Sequence, residues 1–276
     1  MLDDTNQTSI QEQQLIDGVT TIECASTEDE FSHPEHLRVS VHHAFTLEQS
    51  NPRTLYFAFG SNLSYTQMRK RCTSDPEISA KPVGIARLDN WRWIICGRGY
   101  ANVLPPSVNG CDGTDGTANS QSDEDDKDVV WGVLYDMTPE DLRTLDMYEG
   151  IDRSAPKTSP DHPCDSISRP YEQGNGDYNK WNVLVTVTKW LDEDHRKKYH
   201  GYSNTITGAD GTVGFVGGDH AQQRVLVYVD EHHTEEGPPK EEYIVRMNRA
   251  IRESVELGIP KDWIDKVMRR SIPEES

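Results

Sequence analysis

The chain has 276 residues and a formal net charge of −19, from 47 Asp and Glu against 28 Lys and Arg. With no compensating basic face in the sequence, that acidity argues against a partner gripped by its phosphate backbone, so no nucleic acid is expected. No run approaches the roughly 18 apolar residues of a membrane span, and the acidic start MLDDTNQTSIQEQQ is unlike a signal peptide, so a cytoplasmic protein with no membrane partner is expected.

Residues 1–52 are polar without a sustained period and read as an extension, with a strand or a helix left open near Leu37 to Leu47. The folded domain is placed at 53–272. Its first strand is TLYFAFG, from Thr54 to Gly60, followed by SYTQMRKRC as the opening of a helix capped by Ser64. KPVGIARLDNWRWIICGRG reads as one or two strands turning at Asp89-Asn90. The Gly, Asp and Ser run from Asn109 to Asp128 cannot supply a core face and is an excursion. VVWGVLYDM is a strand. PEDLRTLDMYEG is a helix with Pro139 at its first position, Glu140 and Asp141 near its positive end, and Gly150 as its stop. A loose segment from Asp152 to Gly176 leads to the alternating strand YNKWNVLVTVTKWL, and a polar excursion from Asp192 to His220 leads to the strand QRVLVYVD. An amphipathic helix, a Gly-Ile-Pro break and a second short helix end the chain. Five or six strands with three or four helices predict one mixed α+β domain.

Five scattered cysteines without a CxxC pair point to reduced thiols, with Cys96 a small buried residue. The pairs His42/His43 and His232/His233 raise a metal site, but no ligand-spaced set surrounds them, and none is expected. Trp91, Trp93, Trp131, Trp181 and Trp190 read as core or pocket wall.

Two stretches carry chemistry. At Gly60 the missing β-carbon lets backbone approach a ligand, and the amides of Ser61, Asn62 and Leu63 could converge on a carboxylate or an oxyanion. An ordinary strand-to-helix turn explains the same residues and is the commoner outcome. Glu149, at the end of LDMYEG, meets the negative end of its helix dipole, a setting that suits a group exchanging protons. A helix-terminal Glu facing water is again the commoner case.

Taken together and in order, YFAFGSNL, MRKRC, VWGVLYDMTPEDLRTLDMYEG, YNK and YIVRMNRAIRESVELGIPKDWID resemble the γ-glutamylcyclotransferase family. The resemblance spans about Thr54 to Ile264. It implies a small mixed β-barrel flanked by helices, with long inserted loops, and a catalytic domain at 53–272. It also implies release of 5-oxoproline from a γ-glutamyl amide, with no cofactor. Carried over residue by residue, Glu149 matches the catalytic acid/base. Phe59, Gly60, Ser61, Asn62 and Leu63 match the substrate-binding loop, and Tyr178 matches a pocket tyrosine for which Tyr171 competes. The family usually has tyrosine where this chain has Phe59, so that hydroxyl is absent or supplied by a neighbour such as Tyr56. The long loops are similar to those of long fungal members, which implies a glutathione-derived intermediate of secondary metabolism of the gliotoxin type. The partner is then a small γ-glutamyl molecule, with a homodimer left open. The alternatives are a γ-glutamyl-binding protein without turnover and an interaction protein acting through SDEDDKD.

Overall fold

The computed structural model describes residues 53–106, 129–158, 167–200, 205–207, 213–215 and 221–275. The N-terminal extension, the Asn109–Asp128 excursion and the His42/His43 pair lie outside the described residues.

Strand β1 (Thr54–Ala58) leads through a 3-10 turn at Ser61–Leu63 into α1 (Tyr65–Arg71) and α2 (Pro76–Ser79). Next come β2 (Pro82–Asp89), β3 (Arg92–Ile95), β4 (Ala101–Leu104), β5 (Val129–Met137) and α3 (Pro139–Tyr148). The second half holds β6 (Ile167–Ser168), β7 (Asn179–Trp190), α4 (Glu193–His200), β8 (Thr205–Thr207), β9 (Val213–Phe215) and β10 (Ala221–Val229). Helices α5 (Glu241–Leu257) and α6 (Lys261–Lys266) close the chain.

The main sheet runs β10-β1-β5-β2-β7-β6, and β10 also pairs with β7, so five strands close into a barrel. Every pairing around that ring is antiparallel except β1 with β10, which is parallel with Tyr56 beside Leu226. Closure leaves no bare edge among the five. The expected α+β class, a mixed barrel flanked by helices, is what the structure shows. The alternation read in YNKWNVLVTVTKWL sends one face inward: Val183, Val185 and Val187 are buried while the residues between them are half-buried. Gly132 on β5 is required by a close approach, because a β-carbon there would meet Phe57 at 2.5 Å.

The local signals fall where the sequence puts them. Ser64 caps α1, its Oγ accepting from the Gln67 amide at 3.0 Å, and Thr138 caps α3, accepting from the Asp141 amide at 3.3 Å. Gly150 (φ 64°) and Gly258 (φ 121°) stand in the left-handed region after α3 and α5. Along α5, Tyr243, Met247, Ala250, Ile251 and Ser254 recur on one buried face.

Two readings need correction. Among the described residues there are ten strands and six α-helices, more than the pattern promised. The Asp192–His220 stretch is not featureless: it carries α4 and the β8-β9 hairpin. Helix α4 lacks an apolar stripe and is fastened by polar contacts, His195, Lys198 and Tyr199 all converging on the buried Asp136 of β5 at 3.1 to 3.2 Å. Of the two places read for the five tryptophans it is the core that they take, as one branch of that reading had it: Trp91, Trp93 and Trp181 are buried, and Trp131 and Trp190 pack on the core. Cys96 is fully buried, as read. No helix among the described residues is long and apolar enough to cross a membrane.

Candidate active site

β1 ends against the barrel mouth and delivers Gly60 to the corner. Its carbon must be bare, because a β-carbon would stand 2.8 Å from the Tyr243 hydroxyl and 3.1 Å from Ala101 Cβ. That hydroxyl accepts from the amides of Ser61 and Ala101, each at 3.3 Å, so α5 and β4 grip the corner from outside the barrel. Trp93 fixes the residue before it, its indole N–H donating to the Phe59 carbonyl at 3.1 Å.

Beneath the corner lies a cavity of about 210 Å³ whose wall includes Tyr56, Asn62, Glu149, Tyr178, Tyr243 and Arg246. Asn62 reaches into it with both ends of its amide occupied: Nδ2 donates to the Tyr56 hydroxyl at 2.9 Å and to Glu149 Oε1 at 3.0 Å, and Oδ1 accepts from Gln67 Nε2 at 2.9 Å. Gln67 also donates to Ser61 Oγ at 2.8 Å, so α1 sets the orientation of the whole corner. Arg71, one turn further along α1, donates to the same Glu149 oxygen at 2.6 Å while its guanidinium lies over the Tyr148 ring. Glu149 is thus held by Oε1 alone. Its Oε2 accepts no bond among the described residues, which leaves one carboxylate oxygen for proton transfer.

Three phenols of the cavity wall are held in their protonated form. Burial, with the charge of Glu149 beside it, pushes the Tyr56 hydroxyl far above its ordinary range. Burial likewise raises Tyr178 strongly and Tyr243 to about 12. Tyr178 donates to the Ala101 carbonyl at 3.0 Å and lies under the Arg98 guanidinium at 4.6 Å. Arg98 is itself clamped, by the buried Asp230 at 2.6 Å and by Asp177 at 2.8 Å.

The structure brings Phe59, Gly60, Ser61, Asn62, Tyr178 and Glu149 to one cavity wall. Leu63 is not there: its side chain is fully buried in the core and its amide closes the 3-10 turn on the Gly60 carbonyl at 2.9 Å. With the Ser61 amide engaged by Tyr243, the expected convergence of three free amides does not occur. Tyr171 is half-exposed and off the cavity, so of the two competing tyrosines it is Tyr178 that faces it. Tyr56 places a hydroxyl within reach of Asn62, in the neighbourhood where Phe59 offers none. Sequence reasoning missed Arg71, Arg98, Tyr243 and Arg246. Arg71 stood in the quoted MRKRC and Tyr243 and Arg246 in YIVRMNRAIRES, but only helical periodicity was read there. His232 and His233 serve backbone structure, their amides donating to Asp230 Oδ1 at 3.0 and 3.1 Å, and no cluster fit to hold a metal occurs among the described residues.

No protein-family model matches the chain, and no curated protein matches it in sequence. Solved structures do resemble it. One described as a gamma-glutamyl cyclotransferase is 17% identical, with a TM-score of 0.43 over 82% of this chain and 90% of that one. YkqA from Bacillus subtilis is 18% identical, with a TM-score of 0.43 over 82% of this chain, and the chain spans only 58% of that protein. A yeast cyclotransferase specific to glutathione is 14% identical, with a TM-score of 0.36 over 77% of this chain and 91% of that one. Likeness at this level carries no residue role across.

Proposed function

We infer that this protein is an enzyme that cyclises γ-glutamyl amides, releasing 5-oxoproline and the amine. The observation that carries the reading is Glu149, a carboxylate fixed through one oxygen by Asn62 and Arg71 at the wall of a small cavity, with its other oxygen unengaged. The motif order from YFAFGSNL to GIPKDWID supports it independently of the geometry.

A γ-glutamyl amide contains its own nucleophile, so the protein must fold the substrate and move protons. Confining the α-amine against the γ-carbonyl supplies most of the rate, since oriented intramolecular reactions reach effective molarities of about 10⁵ M or more. The α-ammonium must surrender two protons to become the lactam N–H, and the departing nitrogen must gain two to leave as an ammonium. Glu149 Oε2 can take each proton from the attacking nitrogen and return it to the leaving one, ending as it began. The new C–N bond forms, the tetrahedral oxyanion collapses, and the old C–N bond breaks. Protonated tyrosines such as Tyr56 supply donors for developing charge in a site whose hydrogen bonds are already set.

The finer reading, a glutathione-derived conjugate as in fungal secondary metabolism, belongs to the same proposal and rests on the resemblance and the long inserted segments. Product detection by mass spectrometry with a γ-glutamyl dipeptide and with glutathione tests both levels. The expected result is 5-oxoproline from the parent and none from Glu149→Gln. Binding without product would instead support a γ-glutamyl-binding protein.

A further inference from the structure

Three arginines face the cavity, and two pair with carboxylates that are themselves buried or held in the site: Arg71 with Glu149, and Arg98 with Asp230 as well as Asp177. Arg246 is different. Its guanidinium lies over the Tyr243 ring at 5.0 Å and the Tyr100 ring at 5.7 Å, contacts that use the face of the group and leave its N–H edges available. Its one ion pair is with Glu242, at 2.9 Å through Nη2, and Glu242 is more than half exposed, so that pair is readily exchanged. Its Nε is buried and has no hydrogen-bond partner, a state proteins rarely leave standing. A guanidinium at the wall of a cavity whose buried Nε has no partner, and whose one ion pair is with an exposed carboxylate, points to an anionic ligand.

We propose that Arg246 binds a carboxylate on the leaving side of the substrate, so that the enzyme selects γ-glutamyl amino acids and peptides over γ-glutamyl amines. The assignment rests on the cyclotransferase reading. In that reaction the γ-glutamyl head curls back on itself at Glu149, so the part of the substrate that extends away from that carboxylate is the leaving group. Arg246, on α5 and with no bond to Glu149 or Arg71, belongs to a part of the wall separate from the groups that hold that carboxylate.

Two compounds with the same head separate the possibilities: γ-glutamylalanine, whose leaving group carries a carboxylate, and γ-glutamylethylamide, whose leaving group does not. Binding is measured by calorimetry in the Glu149→Gln background and turnover by 5-oxoproline release in the parent, each with Arg246, Arg246→Met and Arg246→Lys. The expected result is about tenfold or greater preference for γ-glutamylalanine, erased by Arg246→Met, partly kept by Arg246→Lys, with the ethylamide changed by less than about twofold. Equal weakening of both compounds by Arg246→Met, no discrimination with Arg246 in place, or binding of neither compound would overturn the assignment. Intact discrimination without any 5-oxoproline would leave the assignment standing and overturn the cyclotransferase reading instead.

Discussion

Asn62 and Glu149 lie 87 residues apart and meet at 3.0 Å, joining the corner after β1 to the end of α3. Because Asn62 also holds the Tyr56 hydroxyl, its replacement disturbs two groups at once. Asn62→Asp, which sets a second carboxylate against Glu149, is expected to lower kcat by about 10²-fold or more, and Glu149→Gln by about 10² to 10⁴. Melting curves within a few degrees of the parent, alongside the kinetics, will show that the loss is chemical.

Gly60→Ala inserts a methyl group against the Tyr243 hydroxyl. A destabilisation of about 1–3 kcal/mol is expected from overpacking. Adding Tyr243→Phe removes the closer of the two clashing atoms and is expected to restore part of it, measured by urea denaturation of the single and double variants.

The clamp on Arg98 is asymmetric. Asp230 is fully buried while the Asp177 side chain is 65% exposed, although the two carboxylates lie at nearly equal distances from the guanidinium. Asp230→Ala strands a mostly buried cation and is expected to cost about 3–5 kcal/mol, against less than about 1 kcal/mol for Asp177→Ala. Comparable losses from the two variants would show that burial does not set the strength of this clamp.

Helix α4 is fastened by a histidine between two carboxylates: His195 Nε2 meets Asp136 at 3.1 Å and Nδ1 meets Asp192 at 2.9 Å. The bond to Asp136 raises the His195 pKa above its ordinary 6.5, against the opposing effect of burial, with Asp192 adding to the rise. Its stabilising contribution is therefore complete below about pH 6.5 and is lost as pH rises through the elevated folded value. The melting-temperature gap between the parent and His195→Asn is expected to be widest near pH 6 and to narrow toward pH 9. A gap that widened with pH would contradict the assignment. At the acid end, Asp136 is held low because the bonds from His195 and Lys198 outweigh its burial, so its contribution fades only as pH falls below the ordinary carboxylate range.

The sequence made the barrel strands and the two ends of α3 legible because each signal is local: alternation, Thr138-Pro139, and Gly150. Glu149 and the Gly60 corner were legible for the same reason, once the motifs were taken in order. What stayed hidden depends on long-range placement. Arg246 is one charged residue among several on an amphipathic helix, and only the fold puts its guanidinium on the rings of Tyr100 and Tyr243. Helix α4 escaped because EDHRKKYH has no apolar stripe to detect, its anchor being the distant Asp136. Leu63 was read for its backbone amide, and only the fold shows that this amide closes the 3-10 turn on the Gly60 carbonyl.

The parallel seam between β1 and β10 sets the order in which the molecule can be built. β1 is the first described strand to leave the ribosome, yet its partner Leu226 follows nearly the whole of the barrel. Closing so wide a loop is entropically slow, and contacts this distant in sequence delay folding. The Gly60 corner hangs from β1, and its outer grip, Tyr243, is made later still. A nascent chain that has already exposed Glu149 holds Asn62 and Arg71 but still lacks Tyr178, Tyr243 and Arg246: the carboxylate and its holders are synthesised before the wall that completes the cavity.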